Sequence, residues 1–484
     1  MLFGRVVRIA QLLVLCSQWT GWVMIGTIKN QQHDSVGNHL FQALSFYGGS
    51  SHFSSATRFY SHSPFFRPSR PQDISESLLN DSASVNDLAS NNYLLAQRLL
   101  LNIYEQDLVF LPQAPNKLDL QEFKSFYDPE LAACGKLIRP ALEHFVFDWL
   151  EKEVDISGPW CLDAFLTHTQ QVLDDIAKGE SSLHRELTGS RNPQQAARYF
   201  LVQCAGDFLS EASAMARNVL GNFGSHTSEL FKILIDEYGY GVDEKKHSSI
   251  FEEMLKQAGL SHHIHHYWQF YSASSLALIN YFHYVSANHG SLFRYIGAMY
   301  FTEATLAFTT RHQSRAIKDV FAGSVPTLYF DEHNHIDVHH GRMALHKLII
   351  PLVKQYGDAI IPDLLRGFEE FRLLQDKADA EMYSHIHWHD RLAECQAQAA
   401  ALRPLRTPDM FFKELRGELS VTHVHPVDEL FWVEEGQLEF VAGPEQKIVL
   451  NAGEGIVIPK GMLHGTLVLS DSCDYSVTAL GAQA

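Results

Sequence analysis

Residues 417–436 read GELSVTHVHPVDELFWVEEG, and residues 453–465 read GEGIVIPKGMLHG. In an extended chain, side chains two apart point to the same face. His423 and His425 therefore enter one interior together. Glu429 follows, Gly436 supplies a turn, and Pro459, Gly461 and His464 close the second stretch. Three neutral imidazoles, with or without one carboxylate, suit Fe(II) and leave coordination positions open. Whether Glu429 binds the metal or only a ligand histidine is undecided at this level. The surrounding runs, LFWVEEGQLEFVAG (430–443) and KIVLNAGEGIVIPKG (447–461), are short and alternating, as strands with tight turns are. The texture changes at Pro404 and Pro408, which predicts a β domain over residues 401–484.

Upstream the pattern is helical. Residues 131–395 carry long apolar-periodic runs such as QQAARYFLVQCAGDFLSEASAMARNVL (194–220), separated by short Gly, Asn and Pro turns. Residues 27–130 hold a Ser-, His- and Phe-rich arm followed by a helical stretch. A second set of metal-binding residue types lies in the long helical part. It comprises Glu211, Glu237 and His247, Glu303 within the apolar YFTEATLAF, and the triplet His333, Asp337 and His340. The triplet is spaced i, i+4, i+7 and lines one helix face, while His335 points away from it. Gly341 follows, which predicts a short helix. Glu303 is costly in its apolar setting unless it has a partner. Three Glu, one Asp and three His suit two irons bridged by carboxylates in a helical bundle. A rival set remains open. Glu244/His247 and Glu332/His335 are ExxH pairs, and with Glu211 and Glu303 they imitate the ferritin-like template. The HHIHH run (262–266) reads as solvent-exposed beside a turn, whereas Cys204 and Trp268 read as core.

The two C-terminal stretches resemble the cupin signature, matching its fixed positions from Gly417 to Gly436 and from Gly453 to His464. Val468 stands where the signature ends in Asn. The order and spacing of the helical set resemble the haem-oxygenase-like di-iron oxidases. They are most similar to the N-nitrosourea-forming oxygenases that join a dimerising helical segment, a di-iron domain and a cupin. The resemblance covers roughly residues 24–484 and implies a haem-oxygenase-like all-α bundle with a C-terminal cupin β-barrel. It places a di-iron centre on Glu211, Glu237, His247, Glu303, His333, Asp337 and His340, and a mononuclear iron on His423, His425 and His464. It implies Fe(II), O2 as co-substrate, an external reductant from an unidentified electron donor, and a homodimer. The implied activity is N-hydroxylation of the guanidine of N-omega-methyl-L-arginine, then oxidative rearrangement to an N-nitrosourea. The alternatives are a related N- or C-oxygenase acting on another amine or amino acid, and a non-enzymatic cupin sensor fused to a helical dimerisation module.

Composition fits an enzyme on a small substrate. The 484 residues are 46% hydrophobic, enough for several domains with substantial cores. A formal charge of −18 argues against a nucleic-acid surface and favours a cationic ligand. Six cysteines without a CxxC pair read as reduced thiols. Residues 1–26 are either a leader or a mis-assigned start, with Met24 the alternative initiator and an export signal the competing reading. Beyond them no run reaches the roughly 18 apolar residues of a membrane span. The expectation is a cytoplasmic protein with no membrane association.

Overall fold

The structure is a computed structural model that describes residues 29–112 and 117–481. The leader reading therefore lies outside the described residues. Among the described residues, helices predominate up to residue 402 and strands follow from residue 410. The principal helices are α1 (Lys29–Gly48), α2 (Asn91–Glu105), α3 (Pro129–Phe147), α4 (Pro193–Phe208), α5 (Ser225–Glu237), α6 (His247–Gln257), α7 (Ala273–Ala287), α8 (Leu292–Val320), α9 (Leu328–Met343), α10 (Ile361–His389) and α11 (Leu392–Leu402). No helix among the described residues is long and apolar enough to cross a membrane.

The long pair α8 and α10 forms the spine of the bundle, and α9 packs along α8. Two glycines set the closeness of the spine. A Cβ on Gly297 would sit 1.8 Å from the Leu364 carbonyl oxygen, and one on Gly367 would sit 1.8 Å from that of Arg294. Neither crossing tolerates a side chain. Gly341 acts similarly and does not end its helix. A Cβ there would lie 3.1 Å from Ala304 Cα, so glycine brings α9 against α8. The helix runs on to Met343 and then through a π-helical turn, Ala344–Ile349.

The segment read from sequence as an arm and dimerisation region packs into this core. Leu94, Leu99, Leu100 and Leu101 of α2 are fully buried. Ahead of α2, residues 58–70 form a strap with Phe59, Phe65, Arg67 and Ser69 buried. Its backbone is held by Arg67 N–H donating to His52 O at 3.1 Å and by Trp268 Nε1 donating to Pro68 O at 2.9 Å. Arg67 pairs with Glu105, which also meets His265 Nε2 at 2.9 Å, all three being buried. The HHIHH run is thus not uniformly exposed. His265 is a core residue, because its ring meets the buried Glu105 carboxylate, whose charge Arg67 also compensates. Trp268 is core, as expected.

The C-terminal strands form two four-stranded antiparallel sheets, ordered β1-β8-β3-β6 and β2-β7-β4-β5. They are β1 (Met410–Leu415), β2 (Leu419–His423), β3 (Asp428–Glu435), β4 (Gln437–Val441), β5 (Lys447–Asn451), β6 (Gly455–Ile458), β7 (His464–Val468) and β8 (Ser472–Leu480). The expected cupin barrel is therefore a two-sheet sandwich rather than a hydrogen-bonded closed cylinder. Its core of Phe431, Val433, Leu438 and Phe440 also takes in Cys395 and Ala399 of α11, so it extends upstream of residue 401.

Candidate metal centres

In the helical domain the seven side chains singled out from sequence come together. Their ligand atoms form two overlapping groups, Glu211/Glu237/His247/His333 and Glu237/Glu303/Asp337/His340, each within 4.8 Å. Glu237 belongs to both. The supply is spread over the fold. Glu211 follows α4, Glu237 ends α5, His247 starts α6, Glu303 is mid-α8, and the triplet lies on α9. His247 Nδ1 stands 2.6 Å from Glu237 Oε2, and His333 Nε2 stands 3.0 Å from Glu211 Oε1. His340 Nδ1 is 3.2 Å from Glu303 Oε2 and 3.5 Å from Glu237 Oε1.

Two observations fit this donor set to cations. His247 Nδ1 and His333 Nε2 lie 3.1 Å apart and converge on the same carboxylates. Glu211 Oε2 and Asp337 Oδ2 are buried with no hydrogen-bond donor, an arrangement that is expensive without a positive partner. The protonation pattern agrees. Burial would lower the His333 pKa, but Glu211 overrides it and holds the ring well above its ordinary value. His340 is likewise pushed up to about 12, its Asp337 and Glu303 hydrogen bonds outweighing burial. Asp337 is raised to about 7, chiefly by burial. The carboxylates thus favour positive charge on the rings, which a bound metal would supply instead.

Around these residues sit groups that orient them. Tyr329 O accepts from His333 Nδ1 at 2.7 Å, which leaves Nε2 facing inward. Tyr329 OH donates to Glu211 Oε1 at 2.8 Å, and Asp236 Oδ2 lies 3.1 Å from His340 Nε2. Such contacts fix the ring tautomer of metal-binding histidines. Ala212, next to Glu211, has φ 59°, a strained non-glycine conformation of the kind that gathers at functional sites. The sequence reading missed these partners. Tyr329 was accessible to it, lying one helical turn before His333; Asp236 carried no such signal. The rival set is not brought together, because Glu244, Glu332 and His335 are exposed.

The second centre lies in the strand domain. His423 ends β2 and pairs with His464 at the start of β7. With His425 they form a group whose ligand atoms lie within 4.8 Å. Glu429 stands outside that group, with Oε1 3.1 Å from His425 Nδ1. His464 Nδ1 is 2.9 Å from Met462 O, again leaving Nε2 free to face the centre. Electrostatics run opposite to the first centre. Burial and then His464 and Arg70 hold His423 well below its ordinary pKa. His425 is lowered to about 4 by burial and then Arg70, and His464 to about 3 by burial and then His425. Glu429 is raised to about 7, mainly by burial.

Two arginines near this centre had no sequence signal. Arg70, from the strap, places Nη1 3.0 Å from His423 Nδ1 and 3.1 Å from Ser420 Oγ. Arg98, buried on α2, donates Nη1 to Thr422 O and Nη2 to Thr422 Oγ1, both at 2.7 Å. The strap and α2 thus grip the strand that carries His423.

Two protein families match the helical and strand parts of the chain. Residues 198–376 match the family described as iron-containing redox enzyme, of the haem oxygenase type, and residues 412–478 match the cupin domain family. A solved cupin-2 domain containing protein from Shewanella frigidimarina shares 33% identity over 14% of this chain and 67% of its own, with a TM-score of 0.13. The nitrosourea synthase of Streptomyces achromogenes subsp. streptozoticus is 43% identical over 428 residues, which is 86% of this chain and 90% of that protein. The sensor reading is therefore set aside: the chain is an iron-dependent redox enzyme. Similarity of that extent, spanning both the helical and the strand domain, makes the chain a member of the nitrosourea synthase family.

Proposed function

We propose that the helical centre N-hydroxylates the guanidine of N-omega-methyl-L-arginine and that the cupin centre rearranges the product oxidatively to an N-nitrosourea. The observation that carries this reading is the pair of donor groups sharing Glu237, beside a separate three-histidine centre. Glu211, Glu237, His247, Glu303, His333, Asp337 and His340 would hold two irons, and His423, His425 and His464 a third. Bound iron would supply O2 activation, with electrons from an external reductant. The chain's own residues set the rest. Carboxylates keep the helical centre anionic, Tyr329 and Asp236 orient its histidines, and Glu429 orients His425 as a hydrogen-bond partner rather than a ligand.

A cavity of about 690 Å3 reaches Glu211, Glu237, Glu303 and His333, room for an amino-acid substrate. Aerobic incubation of iron-loaded protein and reductant with arginine, N-omega-methylarginine and other amines, followed by mass spectrometry, tests the reading. The expected product from the methylated arginine is an N-nitrosourea. Oxidation of a different amine alone would favour the related-oxygenase alternative.

The same proposal includes a homodimer on the helices before residue 130, where Phe46, Val109, Leu111, Leu118 and Leu120 are exposed apolar side chains. Deleting that region would remove the buried α2, so the test is Leu118→Glu with Leu120→Glu. Sedimentation should then show monomer, and an unchanged dimer would move the interface elsewhere.

A further inference from the structure

The cavity that reaches the helical centre has a second group of acids that belongs to neither donor set. Asp207, Asp376 and Asp379 line it, together with apolar walls from Phe200, Phe282 and Met382. Arg372 is the one arginine or lysine lining it, and its guanidinium is engaged by Glu369. Asp207 lies near the end of α4, four residues before Glu211. Burial and then Glu211 push its carboxyl up to about 7. Among the described residues no N–H or O–H reaches that carboxylate and no cation pairs with it. Asp379, on α10, accepts one bond, from Gln375 Nε2. The two acids face a common space. The Cys204 thiol, one turn before Asp207, is raised by burial and then by both of them.

Asp207 is half-buried, without a donor, and opens onto the cavity, and such a carboxylate is costly to cover unless the occupant brings the donor and the charge. A planar cation with several N–H groups meets both needs. A small ammonium would satisfy one carboxylate but not two on facing helices. A neutral amide or urea would leave the charge uncompensated.

We propose that Asp207, assisted by Asp379 across the cavity, is the specificity-determining carboxylate that receives a guanidinium or amidinium head of the substrate beside Glu211 and the helical metal centre. This rests on the oxygenase reading above and adds the residue that selects the substrate class. The short sequence distance to Glu211 gives the arrangement its purpose. A head group held at Asp207 presents a nitrogen toward the centre while the apolar walls contact the chain behind it.

The test uses full-length iron-loaded protein with L-arginine and L-citrulline, whose urea replaces the guanidinium with little change in shape. Calorimetry should show wild type preferring arginine by at least about tenfold, the scale of a lost charged hydrogen bond. Asp207→Asn should lose that preference at an unchanged iron count, and Asp207→Glu should restore part of it. Should Asp207→Asn lose iron or fail to fold, Asp379→Asn reads the same preference from the facing helix, with a smaller loss expected. Arginine preference retained in both Asn variants would overturn the proposal, as would wild type that binds citrulline as well as arginine or binds neither. Steady-state turnover separates it from the oxygenase reading. Arginine bound through Asp207 without any N-oxidised product would sink that reading alone. Turnover of a guanidine with the same KM in wild type and Asp207→Asn would sink this inference alone.

Discussion

The helical and cupin centres each contain three histidines, yet their surroundings drive the rings in opposite directions. In the helical centre carboxylates raise His333 and His340; in the cupin centre burial and neighbouring cations lower His423, His425 and His464. The difference is one of charge. Four carboxylates in the helical groups match the charge of two ferrous ions. Three neutral imidazoles cannot neutralise even one, so the cupin centre leaves positive charge for an anionic or chelating ligand to complete. One chain thus holds a donor set whose charge suits two divalent cations and another whose neutral rings leave a bound cation's charge for an electron-rich ligand to meet.

The comparison breaks most readily at Glu237, the side chain common to both helical groups. Glu237→Gln should lower the iron content from about three to about one per chain and abolish N-oxidation, because metal binding depends on a complete donor set. Iron analysis with mass spectrometry of products measures both. Retention of all the iron would mean that Glu237 bridges nothing. Asp337→Ala should act in the same direction, whereas His335→Ala should change neither readout, since His335 points outward from α9.

The converse experiment sharpens the independence of the two centres. His423→Ala with His425→Ala should remove about one iron per chain and leave the helical iron in place. The hydroxylated intermediate should then accumulate and the N-nitrosourea disappear. A folded double variant that also loses all hydroxylation would show that the centres do not work in sequence.

Smaller effects are expected from the orienting residues. Asp236→Asn at the helical centre and Glu429→Gln at the cupin centre each keep shape and remove charge. Each should weaken iron retention at its own centre by about tenfold, the lower end for residues that hold metal-binding histidines. Competition with a chelator reads this. If Glu429→Gln empties the cupin outright, Glu429 is a ligand after all.

The cupin centre was legible because its donors lie within 42 positions in two glycine-bounded stretches, where strand alternation fixes which side chains share a face. The α9 triplet was legible for the analogous helical reason, and Glu303 because a charge inside an apolar run demands a partner. The ExxH rivals could be dismissed only by burial, since a local spacing cannot say which face of a helix meets the bundle. The sequence by itself therefore determined the two-domain composition, the donor types and the residues on each local face. Tertiary structure alone decided that Glu237 stands between two groups, that Gly341 is a packing contact rather than a helix end, and that the strap carries Arg70 to a histidine 353 positions away. The physical reason is range: backbone periodicity acts over a few residues, whereas charge compensation and close packing act between whatever segments the fold brings together.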